Sequence, residues 1–283
     1  MTTSTLAGRT IIMSGGSRGI GLAIALRAAH DGANVALVAK TDAPHPKLEG
    51  TVHTAAQAIR EAGGQALAIV GDVRDESSIA DAVARTVAEF GGVDVVVNNA
   101  SAISLAGTLE LDPKRYDLMH DINVRGTFML SRAALPHLLE SDDPRILTLS
   151  PPLNLTPRWL GAFPAYTTSK YGMTLTTLGL AAEFADRGVA ATTLWPRTLI
   201  RTAAVQNVIG GDEGMARART PEIYADAAHV VLTSPRDAVT GRSLLCEDVL
   251  RDAGVADLSA YSPGVDPAEL LVDAFVDQLE PGA

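Results

Sequence analysis

Thr10-Ile11-Ile12-Met13 runs into Ser14-Gly15-Gly16-Ser17-Arg18-Gly19-Ile20-Gly21 and then into an alanine-rich stretch that reaches His30. In order, this reads as a strand, a glycine turn and a helix. Glycines at 15, 19 and 21 permit a tight turn, let backbone approach a pyrophosphate and allow close helix packing. The start of the helix adds N–H groups that have no partner within the helix. Gly15, Ser17, Arg18, Gly19, Ile20 and Gly21 are therefore the candidate contacts for a dinucleotide.

Outward from this turn, short apolar runs alternate with longer amphipathic ones. Strands are predicted at 10–13, 34–39, 66–70, 93–97, 145–149, 189–195 and 243–246. Helices are predicted at 20–30, 55–62, 78–90, 113–140, 165–186 and 221–232. The strands lack strict alternation, as parallel strands covered on both faces do. The repeated order predicts an α/β fold: a doubly wound, seven-stranded parallel sheet with helices on both faces. Ligands in such sheets sit beyond the carboxyl ends of the strands, so residues that follow strands are where chemistry is sought.

Residues 1–248 are expected to form one nucleotide-binding domain that includes the catalytic site. Residues 249–283, with Asp252, Asp257, Asp266, Glu269, Asp273, Asp277 and Glu280, are read as an acidic C-terminal extension packed on the same domain or on a partner subunit. Residues 41–51, with Pro44 and Pro46, read as a loop insertion.

The chain has 283 residues, 47% of them hydrophobic, enough for a sizeable core. A formal charge of -10 with no basic face argues against nucleic-acid binding. Neither a signal segment nor an apolar run long enough to span a membrane is apparent, so a cytoplasmic location is expected. Cys246 has no second cysteine to pair with, and the six histidines show no metal-ligand spacing, so no metal site is expected.

The second strand ends Val38-Ala39-Lys40-Thr41, where an NAD-preferring chain usually places an acidic residue. Lys40 together with Arg18 instead suits an added phosphate, so NADP(H) is the expected cofactor. Asp72, after the third strand, is placed to accept from the adenine amine or to cap the next helix. After the fourth strand, Asn98 and Asn99 offer amides near the cofactor.

Tyr166-Thr167-Thr168-Ser169-Lys170 sets a phenol and an ammonium four apart on one helix face. A nearby cation lowers a phenol pKa, which suits tyrosine to general acid or base work. Asn123 lies inside a predicted helix, where asparagine is a poor former, and is read as holding a water of the proton relay.

Together, the glycine spacing, Asn123, Tyr166 and Lys170 give the chain a resemblance to the short-chain dehydrogenase/reductase family from about Gly8 to Asp248. A closer likeness is to the hydroxysteroid dehydrogenase-like protein 2 group. It rests on Ala39-Lys40-Thr41, Pro44-His45-Pro46-Lys47-Leu48, Asn98 to Ser104, Ser150 to Leu155 and Trp195-Pro196. Longer members of that group carry a sterol-carrier domain for which this chain is too short, and the chain lacks a terminal Ser-Lys-Leu signal.

The resemblance implies a Rossmann fold and reversible hydride transfer between NADP(H) and a secondary alcohol or ketone. The substrate would be lipid-like or steroid-like, Tyr166 would move the proton, and Lys170 would also contact the nicotinamide ribose. It further implies a homodimer or homotetramer.

The family pattern has a serine after the fifth strand that holds the substrate carbonyl. Here, strand alignment places Pro151 in that position. Either the diproline turns Ser150 inward, or Asn154 donates, or the support is weak, in that order. Arg197 stands where the family has glycine and either meets an acidic substrate or points to solvent. The missing serine motivates the alternative of an NADP(H)-binding regulatory protein with little turnover.

Overall fold

The computed structural model describes residues 5–44 and 49–277. His45, Pro46, Lys47 and Leu48 of the likeness above, and Glu280 of the acidic extension, lie outside the described residues.

Seven strands form one parallel sheet: β1 Thr10–Ser14, β2 Asn34–Ala39, β3 Gln65–Val70, β4 Val95–Asn98, β5 Arg145–Leu149, β6 Ala190–Trp195 and β7 Ser243–Leu245. Their order is β3-β2-β1-β4-β5-β6-β7, with every neighbouring pair parallel. The order reverses between β1 and β4, which opens a crevice where those strands end.

The helices are α1 Gly19–Ala29, α2 Val52–Glu61, α3 Glu76–Phe90, α4 Pro113–Met119, α5 Gly126–Leu138, α6 Pro157–Ala162, α7 Pro164–Glu183, α8 Gly211–Ala216, α9 Glu222–Thr233, α10 Arg236–Val239 and α11 Cys246–Asp252. Alternation along β1 divides the core. Ile11 and Met13 pack into a cluster with α1, α2, α9 and α11, whereas Ile12 joins the opposite cluster with α3, α5 and α7. Each face of the sheet is thus buried, as the apolar strands predict.

The expected single helix over 113–140 is interrupted. Between α4 and α5, His120–Arg125 form one π-helical turn, and Asn123 sits in it fully buried. A second such turn, Val205–Ile209, precedes α8. Beyond α11 the chain returns to the sheet's carboxyl edge: Val272 bridges Thr198 antiparallel, Leu199 N donates to Leu271 O at 2.8 Å, and Asp273 N donates to Arg197 O at 2.9 Å. Among the described residues no helix is long and apolar enough to cross a membrane.

Candidate active site

A cavity of about 900 Å³ lies along the carboxyl ends of the strands. Its two ends differ in chemistry. Arg18, Lys40 and Asp72 line one; Tyr166, Lys170, Trp195 and Asp273 line the other, with Trp159, Phe163, Leu199, Val205 and Ile209 as apolar wall.

The glycine turn is held from behind by β4. Ser14 Oγ accepts from the backbone N–H of Asn99 (3.1 Å) and Ala100 (3.2 Å), and Asn99 Nδ2 donates to Ser14 O at 3.0 Å. A Cβ at Gly15 or Gly21 would come within 2.5 or 2.6 Å of that amide, and Gly15 also has φ 78°. Both positions therefore require glycine. Asn99 acts here as a buttress of the turn. In front of the turn, Gly19, at φ 57°, meets nothing closer than Thr202 Cγ2 at 3.5 Å, and Arg18 makes no side-chain cap to α1. The first-turn N–H groups so arranged, over an open cradle, fit a dinucleotide pyrophosphate.

At the polar end, Arg18 Nε donates to Glu49 O and Nη2 to Gly50 O, both at 2.8 Å, with Thr41 Oγ1 3.4 Å from Nη2. Lys40 Nζ stands 3.2 Å from Asp72 Oδ2, and Arg74 grips the same carboxylate. The Arg74 guanidinium, aided by Lys40, holds the Asp72 carboxyl well below the usual range. Asp72 does not cap α3; Asp75 does.

At the other end, Tyr166 and Lys170 are buried on one face of α7. Lys170 Nζ donates to Leu149 O at 2.6 Å, lies 3.4 Å from Met173 Sδ, and sits 4.9 Å over the Trp195 ring. Burial pushes the Lys170 ammonium down to about 7, and the Asp273 carboxylate opposes that shift. The Tyr166 phenol departs from the sequence expectation. Burial raises it, and Asp273 adds to the rise, so Tyr166 holds its proton at neutral pH.

Asn123 Oδ1 accepts from Ala102 N at 2.8 Å, while its Nδ2 donates to Ala102 O and to Ser169 Oγ, each at 3.0 Å. Its amide therefore clamps the segment after β4 to α7, with both side-chain N–H groups committed to protein partners.

Ser150 is corrected. It is fully buried and shares a 2.9 Å hydrogen bond with Thr174 Oγ1, and it is not part of the cavity wall. Asn154 turns the other way, donating to Phe275 O (3.2 Å) and Asp277 Oδ2 (2.7 Å). Arg197 does not reach the cavity, since its guanidinium binds both oxygens of Asp248 at 2.9 and 2.7 Å.

Asp273 was missed from sequence. It is hidden among seven acidic residues of the extension, yet it is flanked by Leu271-Val272 and Ala274-Phe275-Val276, the one signal of burial. Burial pushes its carboxyl up to about 7, with Ala274 N–H and Lys170 opposing the shift and Glu247 adding to it.

The family model described as short chain dehydrogenase matches residues 9–208. Hydroxysteroid dehydrogenase-like protein 2 of Danio rerio is 52% identical over 277 residues, covering 97% of this chain and 65% of that protein. The Homo sapiens protein of the same name is 46% identical over 277 residues, 98% of this chain and 65% of its own length. The chain thus spans about 65% of these curated relatives. Among solved structures, a short chain dehydrogenase from Mycobacterium thermoresistibile superposes with TM-score 0.91 at 59% identity, covering 98% of this chain and 99% of that one. A mutant Serratia marcescens short-chain dehydrogenase/reductase gives TM-score 0.72 at 30% identity, covering 85% and 96%.

Proposed function

The chain belongs to the short-chain dehydrogenase/reductase family, and from that premise we propose that it reduces a ketone, or oxidises the matching secondary alcohol, with NADP(H). The observation that carries this reading is one cavity with the glycine turn and two cations at one end and the buried Tyr166–Lys170 pair at the other.

A bound nicotinamide supplies or takes the hydride. The protein's part is local. First-turn N–H groups of α1 would hold the pyrophosphate, and Arg18 and Lys40, which line the polar end of the cavity, would supply the cations for an added ribose phosphate. Asp72, kept ionised by Arg74, would accept from the adenine amine. Tyr166, protonated at neutral pH, donates its proton to the carbonyl oxygen as that oxygen gains charge, and takes it back in the reverse direction. Lys170, on the same face of α7, would when charged favour the phenolate left behind. Asn123 keeps the segment after β4 and α7 in register, so the two walls of the reaction centre stay apart by a fixed amount.

The substrate is lipid-like or steroid-like in this reading, because the wall beyond Tyr166 is built from Trp159, Phe163, Leu199, Val205 and Ile209. The nucleotide assignment is tested by titrating NADPH and NADH against the chain and its Arg18→Ala/Lys40→Ala variant. NADPH should bind the parent chain at least about tenfold more tightly, roughly 1.4 kcal/mol, and the variant should lose that margin. Equal affinity of the parent for both nucleotides overturns it.

A further inference from the structure

The ammonium of Lys170 poses an electrostatic problem that its immediate neighbours do not solve. It is 2% exposed, and its contacts are a carbonyl, a thioether and an indole face, none of which carries charge. Among the described residues no carboxylate lies within 4.0 Å of it. A buried cation without a counter-charge is strongly disfavoured. Yet the proposed reaction needs Lys170 charged beside Tyr166.

A carboxyl that lines the same cavity comes from far along the chain. Asp273 opens onto the same end of the cavity as Lys170, and the indole of Trp195 ties the two together. Lys170 Nζ sits over the ring, and Trp195 Nε1 donates to Ala274 O at 2.9 Å. Asp273 N donates to Arg197 O, which fixes the residue from its other side. Phe275 then anchors the segment with its ring 6.0 Å from that of Tyr166, 5.2 Å from Tyr171 and 6.2 Å from Trp195. Asp72, the other carboxyl in the cavity wall, belongs to the opposite end and is already paired with Arg74 and Lys40.

We propose that Asp273 is the counter-charge of Lys170: a positioning residue, supplied by the C-terminal segment, that keeps the lysine protonated and so completes the reaction centre. The inference rests on the functional reading above and deepens it, since the extension becomes part of the catalytic apparatus. Other groups bear on the pair: Tyr166 on α7 itself, Glu247 and Cys246 on α11, and Tyr224 on α9. Glu247 already faces Arg219 and Thr198, Cys246 is a buried thiol pushed well up, and Tyr224 donates to Leu194 O. None of them replaces the missing charge. Lys170 and Asp273 act on each other in opposite senses, the carboxylate raising the lysine and the lysine lowering the carboxylate, so they titrate as a coupled pair.

The test needs no turnover. The chain contains four lysines, Lys40, Lys47, Lys114 and Lys170, so ¹³C-lysine labelling gives a spectrum in which Lys170→Arg identifies the resonance of interest. Its pH midpoint is then followed in the parent chain, Asp273→Asn and Asp273→Glu. Asp273→Asn should lower the midpoint by on the order of one unit, and Asp273→Glu should restore most of it. An unchanged or raised midpoint in Asp273→Asn overturns the proposal.

Should the amide variant not fold, ¹³C-aspartate labelling of the parent serves, with Asp273→Glu identifying its signal. The Asp273 carboxyl should show a second inflection at the Lys170 midpoint, and a single inflection unrelated to it overturns the proposal equally. If no carbonyl compound is turned over, the functional reading fails, while the lysine midpoint still decides the role of Asp273.

Discussion

Thr174 Oγ1 lies 2.9 Å from Ser150 Oγ and 2.7 Å from Pro151 O, and this is where the hydroxyl sought after β5 is bound. Strand alignment could not show it. The diproline after Ser150 fixes the backbone direction, but which side the serine faces is set by contacts on α7 that lie 24 residues away. The Tyr166–Lys170 pair was legible because helical spacing alone places both on one face. Their ionisation was not, since it depends on burial and on Asp273. Accordingly, Ser150→Ala should change single-turnover hydride transfer by less than about threefold, under ~0.7 kcal/mol on the barrier. The same change should lower stability by about 1 kcal/mol for the lost buried hydrogen bond. A hundredfold loss of transfer would return the serine to the reaction centre.

Elements whose sequence pattern matches their burial were legible, and those made by tertiary contact were not. All seven strands fall where apolar runs place them, because parallel strands under helices on both faces have no polar side to interrupt the run. The π-helical turn around Asn123 carries no such pattern; from it the side chain bonds both Ala102 and Ser169.

The segment 271–277 lies in the acidic extension read as packed on the domain or on a partner subunit, but no pattern in it showed which residues pack or against what. Phe275 is 1% exposed and packs against Trp159, Phe163, Tyr166, Tyr171 and Trp195. It does so at φ 70°, a conformation that a bulky side chain adopts only where packing over-determines it. Trp159 Nε1 and Asn154 Nδ2 both donate to Asp277 and close the segment down. Phe275→Ala should therefore cost about 3–5 kcal/mol, read by denaturant unfolding, and should raise KM for an apolar ketone more than it lowers nucleotide affinity. Unchanged unfolding and kinetics would show the segment to be a passive tail.

Across the whole molecule, the sheet brings together residues that are remote in sequence. The turn after β1, Asn99 after β4, α7 after β5 and the C-terminal segment beside β6 all converge on one crevice, because parallel strands direct every carboxyl end the same way. The seven-stranded parallel sheet followed from the repeating pattern, and so did the location of the crevice beyond the strands' carboxyl ends. Closure of the crevice by a return of the chain after α11 did not, since no periodicity encodes it.

The central claim is that this arrangement moves a hydride, with the proton passing through Tyr166. The most direct test incubates the chain with NADPH deuterated at nicotinamide C4 and a panel of 2-octanone, cyclohexanone and a 3-ketosteroid, and examines the products by mass spectrometry. At least one ketone should yield an alcohol carrying one deuterium. Tyr166→Phe should bind NADPH as before and form that alcohol at least roughly 10²-fold more slowly. Tight NADPH binding with no deuterated alcohol from any ketone, or a Tyr166→Phe variant as fast as the parent, would contradict the account.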